Sequence, residues 1–289
     1  MQETQIPVSL IGAGSQPQEE DGANLDILEL PDEMQTFSMP EIDDPEALST
    51  HPEAMVLLHQ LQVELTRQSK SPGVHSEPLD LTDMPDEQRT LIDQLLGEGE
   101  VSMLHQSDTG RIQVQESVLA GLWRIRYFDN DNRLTRDTIE VAAVPRLCRR
   151  HVFTRAAHRV EIGGDAVPEG VLNAPPLLAE INDKVSEFRP GAETHVINLT
   201  LLPQTEEDLA FLIERLGEGP LTVLSRGYGN CRITSTAVEN VWWVQYFNSQ
   251  DKNILNTLEI GEIPAVAAAA REDIEDSKER LVEIIEAYL

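Results

Sequence analysis

The spacing of apolar residues divides the chain into short elements whose order occurs twice. Met55, Leu58, Leu61 and Leu65 recur at helical spacing, which predicts a helix over 52–68 with Pro52 in its first turn. A polar linker, 69–76, leads to a short strand near 77–82. Pro85 then opens a helix carrying Leu91, Ile92 and Leu95, which Gly97 and Gly99 stop. Alternating apolar and polar residues with β-branched content predict strands near 100–106, 111–118, 121–128 and 136–142. A helix over 144–159 and a loop over 161–175 follow. Leu178, Ile181, Val185 and Phe188 then mark the helix that restarts the series, and a helix over 267–288 ends it.

The repetition is one of residues as well as of pattern. Leu96-Gly97-Glu98-Gly99 returns as Leu216-Gly217-Glu218-Gly219. Trp123, Tyr127 and Phe128 return as Trp242, Tyr246 and Phe247, and Leu81-Thr82-x-x-Pro85 returns as Leu199-Thr200-x-x-Pro203. The closing strands, Thr138-Ile139-Glu140 and Thr257-Leu258-Glu259, each run on to a proline, Pro145 or Pro264. An offset held within 118 to 120 positions is a duplication of domain size. The expected fold is therefore α+β: two tandem copies of a small domain, 52–145 and 172–264, each with helices and an antiparallel sheet of about four strands. An acidic, partly ordered arm (1–51) precedes them, a basic helical connector and loop (146–171) joins them, and a C-terminal helix (265–289) follows.

Charge narrows the function classes. The net charge is −29, and residues 1–100 hold 22 acidic side chains against three Lys and Arg. Such a field opposes nucleic acids and anionic membranes. The connector is the exception, with Arg146, Arg149, Arg150, Arg155 and Arg159 beside His151 and His158. Two cysteines imply no disulfide framework and point to a reducing, cytoplasmic setting. No apolar run is long enough to span a membrane, and the N-terminus lacks the basic start of a secretory signal.

No catalytic constellation emerges. Gly12-Ala13-Gly14 lacks the third glycine of a dinucleotide site, where Pro17 stands. Asp129-Asn130-Asp131-Asn132 begins like a calcium loop, but Leu134 stands where that loop needs glycine, so a hairpin turn is the reading. Cys148-x-x-His151 is the one close Cys/His pair, in an arginine-rich setting that repels cations. Cys231 answers apolar Ile112 of the first copy and reads as a buried strand residue. Neither enzyme chemistry nor a bound cofactor is expected. The repeated aromatics read first as core. Strand alternation adds a condition: if Trp242 points inward, Trp243 points outward and becomes an interface candidate. With it as candidate partner-binding residues stand the tight loop Gly227, Tyr228 and Gly229, and Arg149 and Arg150 of the connector.

The tandem Leu-Gly-Glu-Gly … Trp … Tyr-Phe … Thr-Ile/Leu-Glu … Pro unit, with Gly12 to Pro17, Ile197-Asn198-Leu199-Thr200 and Gly227-Tyr228-Gly229, resembles the HupH/HoxQ/HyaF hydrogenase expression proteins over nearly the whole chain. The resemblance implies a non-catalytic accessory protein, a chaperone in maturation of an uptake nickel–iron hydrogenase. Its implied partner is the small iron–sulfur subunit precursor, which carries a twin-arginine signal, with other hydrogenase accessory proteins beside it. The family offers no catalytic residues to carry over. Two alternatives stand: a metal or iron–sulfur carrier built on Cys148, Cys231 and nearby histidines, and a small-ligand sensor with its site between the copies.

Overall fold

The computed structural model describes residues 50–70, 76–163, 167–227 and 229–287. The arm before residue 50, with Gly12-Ala13-Gly14, lies outside these residues, as does Tyr228. The first half comprises α1 (Pro52–Lys70), β1 (Leu79–Asp80), α2 (Asp86–Leu96), β2 (Val101–Ser107), β3 (Gly110–Glu116), β4 (Leu122–Phe128), β5 (Leu134–Val141) and the short α3 (Arg146–Arg150). The second comprises α4 (Ala174–Glu187), β6 (His195–Asn198), α5 (Glu206–Leu216), β7 (Glu218–Ser225), β8 (Asn230–Thr236), β9 (Val241–Phe247) and β10 (Asn253–Ile260), followed by α6 (Arg271–Ala287).

The α+β class holds, but the two copies are not separate four-stranded sheets. Each half contributes five strands to one ten-stranded sheet, in the order β1-β5-β4-β3-β2-β7-β8-β9-β10-β6. The join is the antiparallel pair β2–β7, with Val101 opposite Ser225, Met103 opposite Val223 and His105 opposite Leu221. Val101 and Leu221 are equivalent residues of the two copies, as are Met103 and Val223, and His105 and Ser225. The register thus places a pseudo-two-fold axis between Met103 and Val223, the geometry of an isologous dimer within one chain.

The duplicated motifs have duplicated physical roles. Gly97 and Gly217 end α2 and α5 at φ 54°, ψ −170° and φ 61°, ψ 174°. That region is open almost only to glycine. A Cβ on Gly99 would lie 2.3 Å from the Ser117 carbonyl oxygen, and one on Gly219 2.4 Å from Ser235 Oγ and 2.5 Å from the Thr236 carbonyl oxygen. The Leu-Gly-Glu-Gly unit is therefore a helix stop followed by a strand that runs hard against its neighbour. Trp123 Nε1 donates to the Ala142 carbonyl at 2.8 Å, and Trp242 Nε1 to the Gly261 carbonyl at 3.2 Å, so each buried indole is fixed by the same main-chain acceptor. Asp129 Oδ1 accepts from the main-chain N–H groups of Asp131 and Arg133, and Asn248 Oδ1 from those of Gln250 and Lys252. The resemblance to a calcium loop is this side-chain-braced hairpin turn.

Both faces of the sheet are covered. On one, α1, α2 and α6 bury Leu58, Leu61, Ile92, Leu281 and Ile285 against the first half. On the same face of the second half, α4 and α5 bury Leu178, Ile181, Phe211 and Leu212. The opposite face carries one core across the seam, joining Met103, Trp123 and Ile125 to Val223, Trp242 and Val244 beneath Leu147, Cys148, Val152 and Ala267.

The expected 144–159 helix is only the five-residue α3. Beyond it the chain crosses to the other half: Phe153 packs edge-on to Trp242, and Ala157 exchanges main-chain hydrogen bonds with Ala237 and Glu239. The other tail makes the reverse crossing. Ala269 N–H donates to the Ala143 carbonyl, and Ile274, Leu281 and Ile285 complete the first-half core. Each half thus lends its C-terminal segment to its neighbour.

Two measurements test this account. Gly97→Ala should cost about 1–3 kcal/mol, because alanine must enter the glycine-only region; chemical denaturation reads it. Glu116 is buried, and burial pushes its carboxyl up to about 7 from 4.5. Between those values the native state keeps a proton that the unfolded chain has lost, so this group's contribution to stability is complete below the lower value and falls as pH rises through the higher. Glu116→Gln should therefore stabilise the protein by about 1–3 kcal/mol near pH 8, an advantage that shrinks toward pH 5; denaturation at the two pH values checks it.

Candidate functional site

Sequence-predicted site residues fall in three places. Trp243 is 4% exposed, in the core between α4, α5 and the sheet, with Nε1 donating to Asn256 Oδ1 at 2.5 Å. Trp242 is buried on the opposite face, so the condition that made Trp243 an interface candidate fails: a sheet covered on both sides has no outside. Arg124 and Asp137 hold these two positions in the first half. Arg124 Nε lies 2.5 Å from Asp137 Oδ1, and Arg124 Nη2 2.7 Å from Asp137 Oδ2. A buried ion pair in one copy is thus a Trp–Asn hydrogen bond in the other. Gly227 and Gly229 flank a tip between β7 and β8, where a Cβ on Gly227 would strike Glu100 Oε2. Arg149 is exposed. Arg150 closes α3, and its side chain lies outside the description.

The structure does bring other connector residues together. A cleft of about 710 Å³ opens on the seam face between α3, the chain that follows it, β2 and the start of β7. Arg146, His151 and Arg155 of the connector line it with His105 of β2 and Tyr127 of β4. Its apolar wall is Ile112, Leu147, Val152 and Pro220.

His105 is the buried histidine of this cleft. Its side chain follows Met103 on the seam face and is 7% exposed, with both ring nitrogens shut off from solvent. Burial lowers its pKa, and His151 lowers it further by like charge, while the main-chain carbonyls of His105 and His151 oppose the shift. The imidazole is therefore held toward the neutral form, with one donor and one acceptor. Arg146 is anchored: Nη2 donates to the Ser76 carbonyl and, at 3.0 Å, to Glu77 Oε1, and its main-chain N–H donates to Glu140 Oε2 at 2.9 Å. Its Nε is buried and has no hydrogen-bond partner among the described residues. Arg155 pairs with Asp108 at the exposed rim.

The two cysteines are poorly placed for covalent chemistry. Cys148 is 4% exposed with Sγ 3.3 Å from Met103 Sδ, and burial pushes its thiol up. Cys231 is 2% exposed, its thiol pushed up to about 12. Neither is a thiolate near neutral pH. Among the described residues no three His, Cys, Asp or Glu side chains converge to hold a metal ion. No described helix is long and apolar enough to cross a membrane.

Comparison with known proteins accounts for the duplication. The model of the HupH hydrogenase expression protein C-terminal conserved region matches twice, over residues 52–159 and 171–288. The chain belongs to the HupH family. Both HupH units run past the boundaries expected from pattern alone, and the first takes in α3 and the crossing segment, in keeping with the buried Leu147, Cys148 and Val152. Among HupH-family relatives, the hydrogenase expression/formation protein HoxQ of Cupriavidus necator is 43% identical over 97% of this chain and 96% of its own. HupQ of Azotobacter chroococcum is 45% identical over 96% and 95%. The hydrogenase-1 operon protein HyaF of Escherichia coli is 31% identical over 95% and 94%.

His105 and Arg146 were not singled out from sequence, yet a signal was there. Arg146-Leu147-Cys148-Arg149-Arg150-His151 aligns with Ala265-Val266-Ala267-Ala268-Ala269-Ala270, and His105 with Ser225. The copies diverge most in charge where the cleft forms. For Trp243, the buried role predicts that Trp243→Ala destabilises the fold by about 3–5 kcal/mol, seen as a lower denaturation midpoint; a surface residue would leave that midpoint in place.

Proposed function

We propose that this protein is a non-catalytic accessory factor in hydrogenase maturation that holds the small, iron–sulfur subunit precursor in the cytoplasm before export. One observation carries the reading: relatives 43–45% identical over nearly the full chain are named hydrogenase expression/formation proteins. Two buried thiols with raised pKa values are poor nucleophiles and poor metal ligands, which weighs against an enzyme or a cysteine-based metal carrier.

The surface supplies a rim suited to a partly folded client. The sheet ends at β6, and around that edge Val196 is 52% exposed, Leu201 79% and Ile254 56%. Asp83 and Met84 hold the places of Leu201 and Leu202 in the first half, so this pair of leucines belongs to one copy. An unpaired strand beside exposed aliphatic side chains offers main-chain pairing together with apolar contact. The −29 charge would steer a client bearing an arginine signal toward the protein.

Tagged protein expressed in a hydrogenase-producing host should recover the small-subunit precursor with its signal attached, identified by mass spectrometry. Val196→Asp combined with Leu201→Asp should reduce that recovery severalfold while leaving the melting temperature nearly unchanged, since both side chains are exposed. Protein that purifies anaerobically without client but with stoichiometric iron or nickel would replace this reading with a carrier.

A further inference from the structure

The outer edge of the first half carries an apolar groove. Two hollows of about 480 and 650 Å³ lie between α1 and β1, and they share Val56, Gln60 and Leu79, so they form one channel. It follows α1 from Pro52 to Glu64, about 18 Å at the helical rise. Val56 and Val63, two turns apart, are both more than half exposed there. The second copy shows that the fold does not need them. Leu58, Leu61 and Leu65 of α1 answer Leu178, Ile181 and Val185 of α4, which sets Val56 against Pro176 and Val63 against Asp183. In that copy the gap between helix and edge strand is spanned by a polar contact, Glu180 Oε1 to His195 Nε2 at 2.7 Å. Gln60, which answers Glu180, lies exposed in the groove.

We propose that the groove is the docking site of the chain's own N-terminal arm, through Met34-Gln35-Thr36-Phe37-Ser38-Met39. The arm supplies 49 residues before α1 and joins the fold at the groove's own end, where Pro52 and Glu53 form the wall. Six extended residues cover about 20 Å, the length of the groove. The ten residues between Met39 and Thr50 span up to about 35 Å, enough to reach either end. Charge selects the stretch. Glu53, Glu64 and Asp80 rim the groove, which disfavours Leu25–Leu30 with its Asp26 and Glu29, whereas Met34–Met39 carries no charge. Gln5–Ile11 is also uncharged, but its tether is almost four times as long, which lowers its local concentration severalfold. β1 is only two residues long, so the groove offers burial of side chains more than a strand ladder. A separate partner needs roughly 800 Å² on each side, which two valines and a leucine do not supply; a tethered segment needs far less. The proposal concerns the chain's own arm and is independent of the accessory-factor reading.

Methyl NMR of the full chain, labelled at valine, tests it. The Val56 and Val63 signals are assigned by their loss in Val56→Ala and Val63→Ala. Phe37→Ala should move both, since an aromatic ring leaves the groove, while Leu28→Ala and Val8→Ala should leave them in place. Val63→Asp installs the second copy's residue at an exposed position. It should raise amide hydrogen exchange across 34–39 severalfold and leave the melting temperature nearly unchanged. Signals that ignore Phe37→Ala, or that move more with Leu28→Ala or Val8→Ala, would overturn the assignment, as would exchange unaltered by Val63→Asp. A response to Phe37→Ala that disappears on dilution would overturn it too, because the groove would then hold the arm of a second molecule.

Discussion

The molecule depends on one antiparallel strand pair. With Met103 opposite Val223, β2 and β7 close two five-stranded sheets into one and set the two-fold relation of everything else. The seam makes a single core of two, since Trp123 and Trp242 then belong to the same apolar layer. It also hides the inner edge of each half, leaving only β1 and β6 as outer edges. Side chains alternate across a strand, so a one-residue slip at this pair would turn Met103 and Val223 away from the shared core and split it. Register here carries more of the fold than any single contact.

Duplication also shows how much freedom the scaffold leaves. The elements that recur are constraints of the backbone: glycine at the helix stop, glycine under a neighbouring strand, an indole tied to a carbonyl, an Asx residue bracing a hairpin. The elements that diverge are chemical. Arg124–Asp137 becomes Trp243–Asn256, a basic connector becomes an alanine run, and Asp83-Met84 becomes Leu201-Leu202. Each pair keeps its place in the fold while changing charge or polarity. The exposed leucines of the second copy and the basic connector of the first therefore read as separate specialisations of one frame.

Much of this frame was legible in the chain. The duplication, the strands β2 to β5 and the helices α1, α2 and α4 follow from residue identity and periodicity, because local pattern and tertiary structure agree there. Trp243 was misjudged because alternation separates two faces without saying whether either is wet, and here helices cover one face and the connectors the other. The 144–159 segment has helical composition, but tertiary contacts take precedence: Phe153 and Ala157 are used to reach across the seam. The cleft was the least legible feature. It joins His105 to Arg146 and His151, more than 40 positions away, and only a residue-by-residue comparison of the copies isolates those three side chains.

The exchanged tails bear on how the protein is made. α1 packs against α6, with about 200 residues of chain between them. Contacts that distant slow folding, because a long loop must close before they form. During synthesis the first half would present Leu58, Leu61 and Ile92 without the helix that later covers them, and the inner edge of β2 without its partner strand. Segments in that state are open to pairing with other chains. Two nascent copies could meet edge to edge through β2, in the register that β7 later takes. Such a protein would itself be sensitive to crowding and to the pace of translation.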